Sequence, residues 1–205
     1  MKVDKANTSH FVLPTSDLSK KVLIFSAPSG SGKTTIVKHL LSVDKRLEFS
    51  VSACTRPKRE NEVNGRDYFF LSMDEFRRKI ESGDFIEYEE VYQGNLYGTL
   101  KSETEKIWNA NKVVVFDVDV KGGMKLKSFF GGNALSVFVK PPGIAELKTR
   151  LMERSTETEE VILERLEKAR VEFSFENKFD CILLNDDLKS ALRNAEKLVN
   201  DFLSK

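Results

Sequence analysis

The sequence predicts an α/β fold in which a parallel β-sheet carries crossover helices on both faces and is interrupted by a small β-rich lobe. Two observations point to it. Five short apolar runs, at 22–26, 49–52, 113–118, 135–139 and 181–184, have the unbroken Val/Ile-rich character of strands buried on both faces. Four of them are followed by polar, helix-like segments, which is the alternation of a parallel sheet. A chain of 205 residues is long enough to bury a sizeable core as one compact domain with lobes.

Taken in order, the first 20 residues mix Lys, Asp, Asn, Thr and Ser around a lone Phe11-Val12-Leu13 and read as a mobile extension. The domain proper is expected over 21–205. Strand 22–26 leads into a helix at 34–42, and strand 49–52 follows. The middle third changes character. Segments 67–71 and 85–91 are aromatic-rich strand candidates, with Gly65, Gly83 and Gly94 close by. Between them, 72–82 reads as a helix with Ser72 as N-cap, Glu75 completing a capping box and Gly83 closing it. Together these make the inserted lobe, at about 53–100. Strand 113–118 precedes a helix at 121–129, and strand 135–139 precedes one at 144–154. Pro141-Pro142-Gly143 opens a second, charged and helical insertion that runs to about Phe173, with Thr156-Glu157-Thr158-Glu159 as a helix start. Strand 181–184 and a helix at 187–203 finish the chain.

Composition narrows the function. Lys and Arg total 33 against 32 Asp and Glu, a net charge of +1 that favours neither a nucleic-acid nor a membrane-surface binder. Cys54 and Cys181 form no Cys-x-x-Cys pair, so a disulfide framework or structural zinc site is not expected, and a reducing, cytoplasmic compartment fits. No apolar run approaches the roughly 18 residues of a membrane helix, and the first residues lack the apolar core of a secretory signal.

The most specific signal is Ala27-Pro28-Ser29-Gly30-Ser31-Gly32-Lys33-Thr34-Thr35, placed directly after a strand and opening a helix. It matches the phosphate-binding P-loop pattern, with Ala27 where the strict pattern has glycine. Gly30 and Gly32 let the backbone curl so that amides point at phosphate oxygens, and the helix N-terminus adds positive potential. Lys33 can neutralise the β- and γ-phosphates of ATP, and Thr34 can ligate Mg2+ through its hydroxyl. A Gly/Ser turn that merely carries a lysine is the alternative, and the strand–loop–helix setting argues against it. A P-loop names a superfamily and not a substrate.

The acceptor is indicated by motifs further along the chain. Ser50-Val51-Ser52-Ala53-Cys54-Thr55-Arg56-Pro57-Lys58-Arg59 precedes Asn64-Gly65-Arg66-Asp67-Tyr68-Phe69-Phe70, then Phe85-Ile86-Glu87 and Tyr97-Gly98-Thr99. Beyond these stand Asp117-Val118-Asp119-Val120-Lys121-Gly122, Arg150-Leu151-Met152-Glu153-Arg154 and Asn185-Asp186-Asp187. In this order and spacing the chain resembles the guanylate kinase family over about 21–205. The resemblance implies a P-loop NTPase core, a GMP-binding lobe at about 53–100 and a lid at about 143–165. It also implies transfer of a phosphoryl group from ATP, with Mg2+, to GMP. It leaves dGMP open as a second acceptor and fits a monomer or small homo-oligomer.

Residue chemistry agrees with that reading. Arg56 and Arg59 can fork around a dianionic phosphate, with the Tyr68 and Tyr97 hydroxyls donating to it. The resemblance puts Glu87 at the guanine-reading position, where a carboxylate accepts from N1–H and the 2-amino group together. Ser52 and Thr99 are suitable hydroxyl donors to O6. Asp119, ending a strand beside the P-loop, is expected to orient guanine or Mg-bound waters, with Asp117 a weaker candidate for the same work. Arg150 and Arg154 share a helix face, and with Arg165 the resemblance makes them lid arginines over the ATP phosphates. Asn185 is an adenine candidate, although an Asn-Asp-Asp turn also serves as a helix cap. Each residue has a plainer reading: solvated charge for the arginines, packing for the tyrosines, a lysine partner for Glu87. Ala53, Cys54, Lys121 and Ser155 depart from the family pattern, and Cys54 reads as a small buried residue. Two rival functions stay in view: another small-molecule P-loop kinase, and a catalytically silent interaction module of the same fold. The second is opposed by the presence of Lys33 and Thr34.

Overall fold

The computed structural model describes residues 20–92, 94–153 and 159–205. The N-terminal half runs β1 (Val22–Ser26), α1 (Lys33–Val43), β2 (Leu47–Phe49), β3 (Ala53–Cys54), β4 (Phe69–Phe70), α2 (Met73–Glu81), β5 (Phe85–Tyr92), β6 (Asn95–Leu100) and α3 (Lys101–Asn109). It continues with β7 (Val113–Val118), α4 (Val120–Phe130), β8 (Ala134–Lys140), α5 (Ile144–Glu153), α6 (Glu159–Phe173), β9 (Cys181–Leu184) and α7 (Leu188–Leu203).

The expected parallel sheet is present, in the order β2-β7-β1-β8-β9 with every pairing parallel. Its strands are apolar on both faces because helices cover both. Leu23, Phe25 and Val115 pack with Ile36, Leu40, Ala195 and Val199 on the α1/α7 side. Ile24, Val114 and Phe116 pack with Ile107, Trp108, Leu126 and Phe130 on the α3/α4 side. Register sets the site: Phe25 lies level with Asp117 and Ser26 with Val118, so the loop after β1 leaves the sheet beside the end of β7. That is the carboxyl end of the strands, where open α/β sheets bind ligands.

The middle third forms a second, four-stranded sheet, β4-β3-β6-β5, with a small core of its own in Ala53, Phe76, Phe85 and Leu100. Phe76 and Phe85 stack with centroids 4.4 Å apart. The capping box that opens α2 is formed: Glu75 N–H donates to Ser72 Oγ, and Ser72 N–H donates to Glu75 Oε2. Helices α5 and α6 share a third core of Leu147, Leu151, Ile162, Leu166 and Ala169.

Several expectations shift. The second strand is Leu47–Phe49 and not 49–52, because the chain leaves the first sheet after Phe49 to enter the second at Ala53. Segment 67–71 contributes only Phe69–Phe70. The Tyr97-Gly98-Thr99 stretch lies within strand β6. Gly98 is there because a Cβ would run into the Phe85 ring across the strands. Helix α3 is an addition to the expected elements, although Thr104, Ile107 and Trp108 give it a buried i, i+3, i+4 face. The 1–19 extension, Arg154, Ser155 and the 156–158 helix start lie outside the described residues.

Candidate active site

A cleft of about 1040 Å3 opens between the two sheets and α6. Its donor side is the loop from Ala27 to Lys33. Gly30 and Gly32 have φ of 90° and 87°, a region only glycine enters freely. Space is also short: Leu147 and Leu151 of α5 lie about 3.1 Å from where a Cβ on Gly30 would stand, and the Asn185 amide fills the space beside Gly32. Lys33 and Thr34 begin α1 and both reach Asp117 of β7. Lys33 forms an ion pair with it, and Thr34 Oγ1 donates to Asp117 Oδ2 at 2.8 Å. Burial pulls the Lys33 ammonium down to about 8, while Asp119 and Glu172 pull the other way, so it remains largely charged at neutral pH.

The two aspartates stand in different places. Asp117 is the group at the P-loop. Asp119 caps α4, accepting from Gly122 N–H at 2.8 Å, and its carbonyl accepts from Ser26 Oγ. Asp119 still lines the cleft. Gly122 separates its carboxylate from that of Glu87, since a Cβ there would lie about 3.0 Å from one and 3.3 Å from the other.

On the acceptor side, β5 presents Glu87, buried and raised to about 7 by that burial against the opposing hydrogen bond from Thr99. Thr99 Oγ1 donates to Glu87 Oε1 at 2.7 Å and is itself fully buried, so it orients the carboxylate and does not face the cleft. Ser52 does face it. Arg56, Arg59, Tyr68 and Tyr97 line the far end. The Arg56 guanidinium is gripped by both oxygens of Glu62, at 2.7 and 2.5 Å, and lies over the rings of Tyr68 and Phe70. That grip holds the Glu62 carboxyl at about 2. Arg59 is exposed, and its backbone N–H also bonds Glu62. Cys54 is fully buried and its thiol is pushed up by burial, as a packing residue would be.

Helix α6 makes a third wall. Arg165 donates to Ser29 Oγ at 2.9 Å, at the mouth of the P-loop. Lys168 and Glu172 line the cleft beyond it. Sequence reasoning does not single out Glu62, Lys168 or Glu172. The i, i+3, i+7 spacing of Arg165, Lys168 and Glu172 is the available signal for the last two. Four predicted residues besides Thr99 stand outside the cleft lining: Ser31, Thr35, Arg150 and Asn185. Arg150 and Asn185 sit at the back of the P-loop. There Arg150 donates to the Asn185 carbonyl at 3.1 Å, and Asn185 Nδ2 donates to the Ser31 carbonyl at 2.7 Å. Asn185 is thus a brace for the loop in this structure.

The family model described as guanylate kinase matches residues 19–202. The chain is 51% identical over 196 residues to a guanylate kinase of Bacteroides fragilis, covering 96% of both chains. It is 46% identical over 186 residues to that of Porphyromonas gingivalis, covering 90% of this chain and 99% of the other. Among solved structures, guanylate kinase from Anaplasma phagocytophilum superposes with a TM-score of 0.73 at 26% identity, covering 90% of this chain and 87% of that one.

Proposed function

Because the chain belongs to the guanylate kinase family, which transfers the γ-phosphoryl group of ATP to GMP to give ADP and GDP, we propose how its residues divide that work. ATP takes the P-loop side. The amides of residues 28–34 cradle its phosphates, and Lys33 follows the charge that develops between the β- and γ-phosphates. GMP takes the second-sheet side, with Arg56, Arg59, Tyr68 and Tyr97 on its phosphate and Glu87, Ser52 and Asp119 on its base. Thr99 serves by fixing Glu87. An oxygen of the GMP phosphate attacks the γ-phosphorus in line as the bond to the ADP oxygen breaks, so no covalent enzyme intermediate is needed. Arg165, already at Ser29, covers the transferred group, and Arg150 and Arg154 are the further lid arginines of this reading.

Thr34 and Asp117 offer a hydroxyl and a carboxylate 2.8 Å apart at the loop mouth, a hard-oxygen set that suits Mg2+. Held by these two residues, Mg2+ would supply charge neutralisation of the triphosphate. Residence in the cytoplasm is supported by the two free cysteines, one fully buried. No helix among the described residues is long and apolar enough to cross a membrane.

The convergence of Lys33 and Thr34 on Asp117, facing Glu87 and Arg56 across one cleft, carries this reading. A coupled ADP-release assay with ATP and each of GMP, dGMP, IMP, AMP, CMP and UMP tests it. GMP should be strongly preferred over AMP. Comparable turnover of the two would overturn the acceptor map, and no turnover of any would mean a silent module.

A further inference from the structure

Strand β5 carries Glu87 and is the outermost strand of the second sheet, bonded along one side only, to β6. Such an edge leaves backbone groups without a strand partner. Here two lysines from the core helices reach that edge. Lys125 of α4 donates to the Tyr88 carbonyl at 2.8 Å and pairs with Glu89. Lys168 of α6 donates to the Val91 carbonyl at 3.1 Å, at the end of β5, and the carboxylate of Glu172 lies 3.8 Å from its ammonium. Glu87, Glu89 and Val91 all line the cleft, as alternate residues on one face of a strand should.

The other end of this contact is firm. Leu166 and Ala169 bury one face of α6 against α5. Phe173, the last residue of α6, also packs against Val120, Phe138 and Phe179 over the main sheet. Glu172 is only 8% exposed, so the carboxylate beside Lys168 is a built-in group and not a solvated one. Lys168 thus joins a helix anchored on the P-loop core to the strand that presents the base-reading carboxylate.

We propose that Lys168, steadied by Glu172, is a positioning residue for acceptor binding. It fixes the cleft end of β5 and with it the place of Glu87 relative to the P-loop. The proposal rests on the assignment of Glu87 to guanine. Its function lies in where the strand stands and not in contact with either nucleotide.

Lys168→Met keeps the apolar stem and removes the donor. Steady-state kinetics should show KM for GMP raised about tenfold, the loss expected when a charge-assisted hydrogen bond is removed. KM for ATP should stay within about twofold and kcat within about threefold of wild type. Lys168→Arg should restore KM for GMP, and Glu172→Gln should raise it less than Lys168→Met does. Lys168→Met combined with Glu172→Gln should be no worse than Lys168→Met alone. Thermal melts confirm that each variant is folded. A folded Lys168→Met with an unchanged KM for GMP, a parallel rise in KM for ATP, or no recovery in Lys168→Arg would overturn the proposal. Glu87→Gln in the same assay separates the two ideas. An unchanged GMP-to-AMP ratio there defeats the base assignment, whereas an unchanged KM for GMP in Lys168→Met defeats only the strut.

Discussion

At the donor end of the cleft, the groups proposed for phosphate are main-chain amides of residues 28–34, shaped by two positive-φ glycines that neighbouring side chains crowd. At the acceptor end the groups proposed for GMP are side chains, Glu87 for the base and Arg56, Tyr68 and Tyr97 for its phosphate, beside a separate sheet on a separate small core. A backbone cradle recognises what all triphosphates share and tolerates almost no change of sequence. A side-chain pocket recognises one base and one phosphate, and each contact can be altered singly. General chemistry is therefore held by conformation here, and specificity by substitution.

The sharpest way to break that contrast is at Lys33, the donor-end side chain proposed to follow the developing phosphate charge. Lys33→Ala should lower kcat by about 10²–10³-fold while GMP binding by calorimetry stays near normal. If more than about a tenth of turnover survives, the donor assignment fails. At the acceptor end, Glu87→Gln should lower kcat/KM for GMP by about 10²-fold, since an amide oxygen serves only one of the two guanine donors. AMP should gain relative to GMP, and IMP should fall between them on the wild type.

Smaller effects sharpen the comparison. Arg56→Ala should weaken GMP binding by about 1.5–3 kcal/mol and leave ATP affinity alone. Arg59→Ala, at an exposed site, should cost less. Equal losses for both nucleotides would mean the arginines serve the fold. The smallest effect is on stability. Glu87 holds its proton more tightly when folded, with a value raised to about 7. Its contribution is therefore full below the ordinary carboxylate range and is lost as pH rises through about 7. Glu87→Gln should then melt a few degrees above wild type at pH 8, with the gap closing near pH 5. A gap that grows toward acid would contradict the buried-carboxylate picture.

The donor end was legible because its residues are consecutive: one strand, one glycine-rich loop, one helix start. The parallel sheet was legible for the same reason, each buried strand being a local apolar run. What the sequence hid is what the fold brings together from far apart. The preference of Thr34 for Asp117 over Asp119 depends on the register of β1 against β7. Thr99 orients Glu87 only because β5 and β6 pair antiparallel at those two residues. The Glu62 grip on Arg56 spans six residues of loop with no periodicity to mark it. Lys168 meets Val91 across 77 positions.

The apolar cluster of Ala53, Phe76, Phe85 and Leu100 shares no residue with the clusters beneath the P-loop. Inherited change is thereby partitioned. A substitution in that cluster is met first by neighbours within the lobe, and it reaches the phosphate-loop core only through the ties of β5 to α4 and α6. The packing that supports the lobe is thus separate from the packing that supports the loop, and the two meet along one strand edge.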